Sequence, residues 1–436
     1  MSVIFKSEKW LKETLFDCQT CGQCILSHTA LICPMNCPKG LRNGPCGGTL
    51  DGKCEVIPEM DCVWTRIEQK KKEKSSGIHL PPDPALLNTA SYVNLINGKD
   101  RATRLPAKPA DSSAIPAGSD LADKMRRGEF VVTLEIASPL TRKGLDRVEK
   151  IMARTHRHVD AVNTTTNAGG VPSLHSTETA RVVLDHGVEP IIQFCGRDQP
   201  REAFLEELER AMDMGYRNFL CLTGDWLPQT ERKIDQNTWF PMDSSQMIHF
   251  ANLEMARLHK TFGAAPYLGV AANPFSTPMP VSVDRLRLKR DAGARFCQTQ
   301  AVTHVPTFRE WYRQVREGRE QAPKLTIPSI PLVGSRKGFE VLCRLPGIYV
   351  DESLHRVLEE PDFQRRSLEW AFEISRGVIA CGAAGVHTMN FGMPPDLIDE
   401  FLLQIRDRAT EARRQSTSEA PPTNTSTQPH PERPST

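Results

Sequence analysis

The residues with the clearest capacity for chemistry are cysteines crowded near the N-terminus. Of the 13 cysteines in this chain of 436 residues, eight lie within the first 62 positions. The spacing Cys-x2-Cys-x2-Cys from Cys18 to Cys24 brings three thiolates into one loop, as around a cubane iron–sulfur cluster. Structural zinc more often uses two separated Cys-x2-Cys pairs. We therefore expect metal ligands at Cys18, Cys21, Cys24, Cys33, Cys37, Cys46, Cys54 and Cys62.

The proline and glycine residues that flank these cysteines favour iron–sulfur clusters, although they do not exclude structural zinc sites. Cys33-Pro34, Cys37-Pro38 and Pro45-Cys46-Gly47-Gly48 form tight segments of the kind that wrap clusters. Glycine in such a loop lets backbone N–H groups approach sulfur. One or two [4Fe-4S] clusters are the expected centres. Structural zinc is the alternative, and in that case the N-terminal region does no redox work.

Composition and charge exclude several classes of protein. The chain has 55 Lys and Arg against 53 Asp and Glu, a net charge of +2, which does not favour nucleic acid or an anionic membrane. It has no run of 18 apolar residues, and its first ten residues lack the apolar core of a secretory signal. We expect a cytoplasmic protein, where thiols stay reduced and clustered cysteines indicate metal binding.

The chain divides into four segments. Residues 1–74 form the cysteine-rich module, and residues 75–118 form a connector that contains six prolines. Residues 119–410 carry the regular alternation of apolar runs. Residues 411–436 contain little apolar material, so we expect a disordered tail.

Residues 119–410 alternate eight β-type runs with amphipathic helical runs, which is typical of an α/β protein of the (βα)8 TIM-barrel class. An open doubly wound sheet would also alternate. It is disfavoured, because no Gly-x-Gly-x-x-Gly motif follows the first run. The expected strands are residues 131–136, 160–164, 190–194, 218–223, 266–271, 295–299, 325–330 and 385–390.

Catalytic groups of a TIM barrel lie at the C-terminal ends of its strands. Carboxylates, amides and hydroxyls collect there, with no pair of histidines at metal-binding spacing and no serine beside an obvious base. This inventory suits hydrogen bonding to a flat, polar heterocycle better than hydrolysis. The positions are Glu135, Asn163, Gln193, Arg197, Thr223, Asp225, Asn273, Gln298, Gln300, His387 and Asn390.

The order and spacing of several motifs resemble the methylenetetrahydrofolate reductase family. They are Val132-Thr-Leu-Glu135, Val159-Asp-Ala-Val-Asn-Thr-Thr165, Leu220-Cys-Leu-Thr-Gly-Asp225, Leu268-Gly-Val-Ala-Ala-Asn-Pro274, Thr299-Gln300 and His387-Thr-Met-Asn390. The resemblance implies a flavin-dependent oxidoreductase acting on CH–NH bonds in one-carbon metabolism. It would reduce 5,10-methylenetetrahydrofolate to 5-methyltetrahydrofolate or run the reverse oxidation, as in methyl-group catabolism.

The resemblance also implies roles for individual residues. Glu135 matches the family's acid, whose proton opens the substrate ring, and we expect burial to raise its pKa. Asp225 matches a carboxylate close to flavin and pterin, which makes it both catalytic and substrate-binding. Gln300 matches an amide that hydrogen-bonds the pterin. Flavin contacts are expected at Thr165, Thr223 and Lys289, with Lys289 as a phosphate partner.

Departures from the family pattern concern the flavin and nicotinamide contacts. Where the family has a histidine on the third strand, this chain has Gln193. It has Thr223 in place of the arginine of the family's Arg-Gly-Asp triplet, and His387 in place of a tyrosine on the last strand. FAD is the expected flavin, with FMN as the alternative. Direct donation by NAD(P)H stays open.

The cysteine-rich module resembles a partner domain that is fused to some folate reductases or accompanies them as a separate subunit. The match covers Asp17-Cys-x-x-Cys-Gly-x-Cys24 and Cys37-Pro-Lys-Gly-Leu-Arg-Asn-Gly-Pro-Cys-Gly-Gly48. It implies iron–sulfur electron transfer to the barrel from an electron-donor protein. The alternative is a zinc-stapled docking domain. The expected small-molecule partner is a folate. The sequence is compatible with either a monomer or a homo-oligomer.

Overall fold

A closed barrel of eight parallel strands dominates the structure. The computed structural model describes residues 3–71, 77–99, 104–105, 116–168, 171–226, 239–319 and 325–418. A short antiparallel pair, β1 (Ile78–His79) and β2 (Arg104–Leu105), precedes the barrel. The barrel strands are β3 (Val131–Ile136), β4 (Ala161–Thr164), β5 (Glu189–Cys195), β6 (Asn218–Leu222), β7 (Tyr267–Ala272), β8 (Phe296–Ala301), β9 (Thr326–Val333) and β10 (Gly385–Phe391).

Every barrel strand pairs with its successor along the chain, and β10 pairs with β3 to close the sheet. All eight expected strands overlap the observed ones, and the expectation for the first, residues 131–136, has the bounds of β3. The predicted (βα)8 TIM barrel is therefore confirmed.

Helices flank the barrel on its outer side, and one of them plugs its N-terminal end. The plug is α4, which inserts Leu121 and Met125 into the apolar cluster inside the barrel. The helices are α1 (Val3–Phe16), α2 (Val63–Lys70), α3 (Ser91–Ile96), α4 (Asp120–Arg126), α5 (Leu145–Thr155), α6 (Ser176–Asp185), α7 (Arg201–Asp213), α8 (Ser244–Leu253), α9 (Met255–Phe262), α10 (Met279–Asp291), α11 (Val305–Arg316), α12 (Arg336–Cys343), α13 (Glu352–Val357), α14 (Phe363–Ala380) and α15 (Pro395–Ser418).

Alternation along each strand decides which side chains face the barrel interior. On β3, Val131 belongs to the interior apolar cluster, whereas Val132 and Leu134 pack under the surrounding helices. Successive side chains of a strand point to opposite faces, so Glu135 faces inward, two steps beyond the apolar layer. Equivalent inner positions on the other strands hold Asn163, Gln193, Gln298 and His387.

The cysteine-rich module packs on the C-terminal mouth of the barrel. Asn273 Nδ2, at the end of β7, donates to the carbonyl oxygen of Gly47 at 2.8 Å. Arg285 Nη1, on α10, donates to the carbonyl oxygen of Asn43 at 2.6 Å. The connector is tied down as well, because Asn43 exchanges two side-chain hydrogen bonds with the backbone of His79 on β1. The module is thus part of the structure that surrounds the mouth.

The beginning of the C-terminal segment, which was expected to be disordered, is helical. Helix α15 continues to Ser418, so the first eight residues of the segment 411–436, expected to be disordered, are helical. Once a helix has formed, each added residue gains a hydrogen bond at little further cost, and this favours continuation beyond the packed part. The remaining tail, residues 419–436, lies outside the described residues. Within the described part of the chain, no helix has both the length and the apolar character to cross a membrane.

Candidate active site

A cavity of about 260 Å³ opens at the mouth of the barrel. Strand ends form one side, and the cysteine-rich module supplies the other through Lys39, Cys46 and Glu55. All six barrel residues to which the family resemblance assigns a role line this one cavity: Glu135, Thr165, Thr223, Asp225, Lys289 and Gln300. The structure therefore brings together groups that are separated by up to 165 positions in the sequence.

Glu135 lies at the end of β3 with its side chain 23% exposed. Gln193 Nε2 donates to its Oε2 at 2.9 Å, and His387 Nε2 lies 3.8 Å from the same oxygen. Burial raises the pKa of Glu135, but the interactions with His387 and Gln193 outweigh burial, so its pKa lies below the ordinary value. The expectation of a raised pKa was wrong, because sequence reasoning did not place two hydrogen-bond donors beside the carboxylate.

A layer of hydrogen-bonded polar side chains supports Glu135 from below. Asn163 and Gln298 exchange amide hydrogen bonds across the barrel, at 2.6 and 3.0 Å. Gln298 Nε2 also donates to Thr133 Oγ1 at 3.3 Å, and Thr133 Oγ1 lies 2.8 Å from His387 Nδ1. All four side chains are buried, so their hydrogen bonds replace those that water would supply. The layer fixes the orientation of the His387 ring.

Asp225 follows β6 on the side of the cavity covered by the cysteine-rich module. Burial raises the pKa of Asp225, partly offset by the positive charges of Lys39 and Arg197. Arg197 Nη1 donates to the backbone oxygen of Asp225 at 3.1 Å and pairs with Asp198 at 2.6 Å. The carboxylate therefore lies in a partly desolvated place beside two cations.

A buried network links the cysteine-rich module to this part of the barrel. Lys39 forms an ion pair with Glu55, and the two side chains are only 2% and 6% exposed. Lys39 Nζ also donates to the carbonyl oxygen of Gly224 at 2.8 Å, and Cys46 Sγ donates to Glu55 Oε2 at 3.1 Å. Sequence reasoning missed Lys39 and Glu55. The available signal was the position of Lys39 inside the Pro- and Gly-framed segment 37–48.

The residues predicted to contact flavin occupy different parts of the cavity wall. Thr165 Oγ1 accepts a hydrogen bond from the backbone N–H of Ser138 at 3.3 Å. Thr223 Oγ1 accepts one from the backbone N–H of Ser244, at the start of α8, at 3.2 Å. Both hydroxyl oxygens thus accept from the backbone, and Thr223 Oγ1 also donates to Ser244 Oγ at 3.2 Å, while both side chains line the cavity.

Lys289 stands in a basic corner of the cavity. Its Nζ donates to the carbonyl oxygen of Ala271 at 2.7 Å, and no Asp or Glu in the described ranges forms an ion pair with it. Burial and the nearby Arg285 guanidinium lower its pKa to about 8. Arg285 lines the same corner, where its buried Nε has no hydrogen-bond partner among the described groups. Sequence reasoning missed Arg285.

Gln300, the predicted pterin contact, lies half-buried at the end of β8. Its Oε1 accepts from the backbone N–H of Ala301 at 3.0 Å, and its Nε2 donates to the carbonyl oxygen of Pro346 at 3.4 Å. The second of these bonds is long, so the amide can turn toward a ligand at small cost.

The eight N-terminal cysteines divide between two small cavities. One is lined by Cys18, Cys21, Cys24 and Cys33, and the other by Cys37, Cys46, Cys54 and Cys62. All eight thiols are free of disulfides. Among the described residues, however, no group of three or more His, Cys, Asp or Glu side chains is arranged to hold one metal ion. The structure thus sorts the predicted ligands into two sets of four without forming a single-ion site.

Comparisons with known proteins agree with this architecture. A family model described as "Methylenetetrahydrofolate reductase" matches residues 120–396, and one described as "Methylene-tetrahydrofolate reductase C terminal" matches residues 2–81. "Probable methylenetetrahydrofolate reductase (NADPH)" of Caenorhabditis elegans is 27% identical over 268 residues, covering 56% of this chain and 37% of that protein. "Methylenetetrahydrofolate reductase 1" of Schizosaccharomyces pombe is 25% identical over 256 residues, covering 55% and 40%. This chain therefore spans well under half the length of these curated relatives.

A solved structure shares the fold. It is described as an uncharacterized protein from Clostridium thermocellum that binds two copies of 5-methyl-5,6,7,8-tetrahydrofolic acid. The TM-score is 0.52 at 15% identity, covering 67% of this chain and all of that one. The first family model spans the barrel from α4 to the start of α15, more than half of the chain. On this evidence the protein belongs to the methylenetetrahydrofolate reductase family.

Proposed function

We propose that this protein reduces 5,10-methylenetetrahydrofolate to 5-methyltetrahydrofolate, or runs the reverse oxidation at the same site. The observation that carries the proposal is the placement of Glu135, Asp225 and Gln300 around one cavity of a barrel from this family. The names of the curated relatives support the reaction, and the folate bound by the Clostridium thermocellum protein supports the substrate class.

Glu135 delivers the proton in this scheme; because its pKa lies below the ordinary value, it takes that proton up for each turnover and does not hold it at rest near neutral pH. The methylene carbon of the substrate is bonded to two nitrogens, and protonation of one of them lets that C–N bond break. The remaining nitrogen and the methylene carbon then form an iminium cation, which accepts a hydride. Asp225 lies across the cavity as a fixed carboxylate that favours this cation, and Gln300 orients the pterin by hydrogen bonding.

The basic corner fits a flavin phosphate. Arg285 pairs with Asp243 at 3.3 Å, but its Nε has no hydrogen-bond partner among the described groups. Lys289 forms no ion pair with a described carboxylate, so the corner carries two cations against one carboxylate and an anion there would be attracted. Thr165 and Thr223 would flank the bound cofactor. A bound flavin, FAD or alternatively FMN, would supply the hydride. The printed name of one relative supports NADPH as a source of reducing equivalents.

The two sets of four cysteines fit two iron–sulfur clusters in their donor chemistry. Each set offers four thiols around one cavity, and in a cubane cluster each thiolate binds a different iron. Such clusters would supply one-electron transfer between a donor protein and the barrel. Cys46 lines both its own cavity and the main cavity, so the second set adjoins the proposed folate site. Zinc in these sets is the alternative, with the module serving as a docking domain.

The organisation of the chain follows from the same proposal. Residues 1–74 are the cysteine-rich partner module, 75–118 the connector and 119–410 the catalytic barrel. The module completes the cavity wall, so we propose that the two parts work as one catalytic unit. Its clustered thiols need a reducing compartment, which supports a cytoplasmic location.

One experiment tests the reaction directly. Anaerobically purified protein is mixed with 5-methyltetrahydrofolate, and the visible absorption band of the oxidised flavin is followed with time. We expect bleaching in the wild type and, in Glu135→Gln, retention of the flavin spectrum with bleaching slowed by at least ~100-fold. Glu340→Gln, which changes an exposed carboxylate on α12, is the matched control. Bound flavin that stays oxidised in the wild type would exclude the proposal.

A further inference from the structure

His387 is held so that one ring nitrogen faces Glu135. Its side chain is 3% exposed, and its Nδ1 lies 2.8 Å from Thr133 Oγ1 and 3.2 Å from Gln298 Nε2. The opposite nitrogen, Nε2, lies 3.8 Å from Glu135 Oε2. A ring fixed at Nδ1 can exchange a proton at Nε2 without changing its orientation. A small movement of either side chain brings Nε2 and the carboxylate into hydrogen-bond contact.

The partner of Nδ1 suits a ring that changes its protonation state. A threonine hydroxyl can accept a hydrogen bond from Nδ1–H or donate one to an unprotonated Nδ1. Loss of the proton from Nε2 leaves the hydrogen on Nδ1, so Thr133 Oγ1 accepts from Nδ1–H both before and after the transfer. Gln298 Nε2 has a second acceptor in Asn163 Oδ1 at 3.0 Å, so it does not depend on the ring. The layer beneath the ring tolerates both the neutral and the charged imidazole.

Glu135 and His387 are the two groups at this point of the cavity that can exchange protons with each other. Among the described residues, the other side chains that hydrogen-bond to the pair are neutral: Thr133, Gln193 and Gln298. Gln193 donates an amide proton to Glu135 but cannot titrate, so it holds the carboxylate without carrying its proton. Titratable groups elsewhere on the cavity wall are Lys39, Cys46, Glu55, Cys195, Arg197, Cys221, Asp225, Arg285 and Lys289.

We propose that Glu135 and His387 act as one proton-carrying pair, in which His387 Nε2 passes its proton to Glu135 as Glu135 protonates the departing nitrogen of the folate. This role rests on the proposed reaction. Before the step the His387 ring is an imidazolium and Glu135 is a carboxylate; the Nε2–H bond then breaks and an O–H bond forms on Glu135. The Glu135 proton bonds to the substrate nitrogen, which keeps the electron pair of the broken C–N bond. The pair ends as a carboxylate and a neutral imidazole, and solvent in the cavity restores the proton.

The test compares wild type with His387→Gln, which keeps an amide donor near Glu135 but cannot titrate. The first readout needs no turnover: the Glu135 carboxyl signal is followed against pH by infrared difference spectroscopy, with Glu135→Gln as the blank. We expect the carboxylate of the variant to take up its proton at a pH higher by about one unit or more, because burial remains while the imidazole contact is gone.

The second readout is the single-turnover rate of folate reduction against pH. In the wild type, the alkaline fall in rate marks loss of the proton held by the pair; in the variant it marks Glu135 alone. We expect that fall to move to lower pH in His387→Gln, with the rate at pH 7.5 reduced by about tenfold or more. A residue with a merely structural role would not produce opposite shifts in the two readouts.

The outcomes distinguish a failure of the Glu135–His387 pair from a failure of the proposed folate reaction. Both shifts together support the pair, and the absence of either one overturns it. Wild-type protein that binds flavin but does not turn over folate defeats the proposed reaction, and with it the proton-transfer role. The carboxyl measurement still reports whether His387 and Glu135 interact. His355→Gln, on α13, controls for the loss of a histidine outside the cavity.

Discussion

Lys39 of the cysteine-rich module donates from Nζ to the carbonyl oxygen of Gly224, 2.8 Å away at the end of β6. The same ammonium pairs with Glu55, and both side chains are almost fully buried. A buried ion pair ties its two partners together, because removal of one leaves the other charge in a place without water. The barrel and the module are therefore joined at the wall of the proposed active site.

Replacement of Lys39 should destabilise this junction. In Lys39→Met, Glu55 keeps its charge without a partner, and we expect the free energy of unfolding to fall by about 3–5 kcal/mol. Urea denaturation followed by tryptophan fluorescence measures the change. Lys53→Met is the control, because Lys53 pairs with Asp61 at 2.7 Å on the surface, with both side chains about half exposed or more, and its loss should change the free energy of unfolding far less. Equal effects of the two changes would contradict a buried junction.

Lys289 should make flavin binding dependent on pH. Its pKa of about 8 in the free protein means that the ammonium loses its proton as pH rises through this value. If the flavin phosphate requires the charged form, binding above pH 8 must take up a proton, and Kd should rise toward tenfold per pH unit. Equilibrium titrations with FMN and FAD between pH 6.5 and 9 measure this slope.

The matched variant for that titration is Lys289→Arg. A guanidinium stays charged throughout this range, so the rise in Kd should disappear. Lys289→Gln should weaken binding by roughly tenfold at pH 7 and also remove the slope. An unchanged slope in Lys289→Arg would assign the pH dependence to another group.

The division of the cysteines predicts two independent metal centres. Cys21→Ser and Cys54→Ser each change one thiol of a different set, and each should lower the iron and acid-labile sulfide of anaerobically purified protein by about half. Cys343→Ser, which changes an exposed cysteine on α12, should leave both contents unchanged. Zinc without sulfide in the wild type would favour the docking alternative, and complete loss of iron in each variant would mean one shared centre.

Asp160 should stabilise the barrel above its unfolded-state pKa. It accepts from the backbone N–H of Val132 at 2.7 Å and pairs with Lys124 and Arg406 at 2.7 and 2.9 Å. Burial raises the pKa of Asp160, but these partners outweigh burial and hold it below the ordinary value of about 3.9. The stabilisation is therefore present above the unfolded pKa and is lost as pH falls through the folded pKa.

Comparison of unfolding at pH 7 and pH 3 checks this contribution. Asp160→Asn should lower the free energy of unfolding by about 1–3 kcal/mol at pH 7, since a buried carboxylate is lost while its two cations, each about a third exposed, stay solvated. The difference between variant and wild type should shrink at pH 3. A difference that is the same at both pH values would show that packing, and not charge, accounts for the loss.

The sequence by itself determined the barrel, because its signals are local. Apolar runs such as residues 131–136, each followed by a helical pattern, predict β3 and its successors, and closure follows from eight repeats. It also determined that Glu135, Asp225 and Gln300 meet, since the ends of parallel strands share one edge of the sheet. The eight cysteines could be named only as candidate ligands, which stays a prediction, and which cysteines share a cavity could not be read from the sequence because the fold of the module decides it.

Only the tertiary structure decided what surrounds each of these groups. His387 and Gln193 lie beside Glu135 and lower its pKa, and Lys39 reaches Gly224 from 185 positions away. A pKa depends on charges and donors within a few ångströms, whichever part of the chain supplies them. Strand period and motif order carry no such distances. The module therefore looked separable in the sequence, whereas packing makes it one wall of the proposed active site.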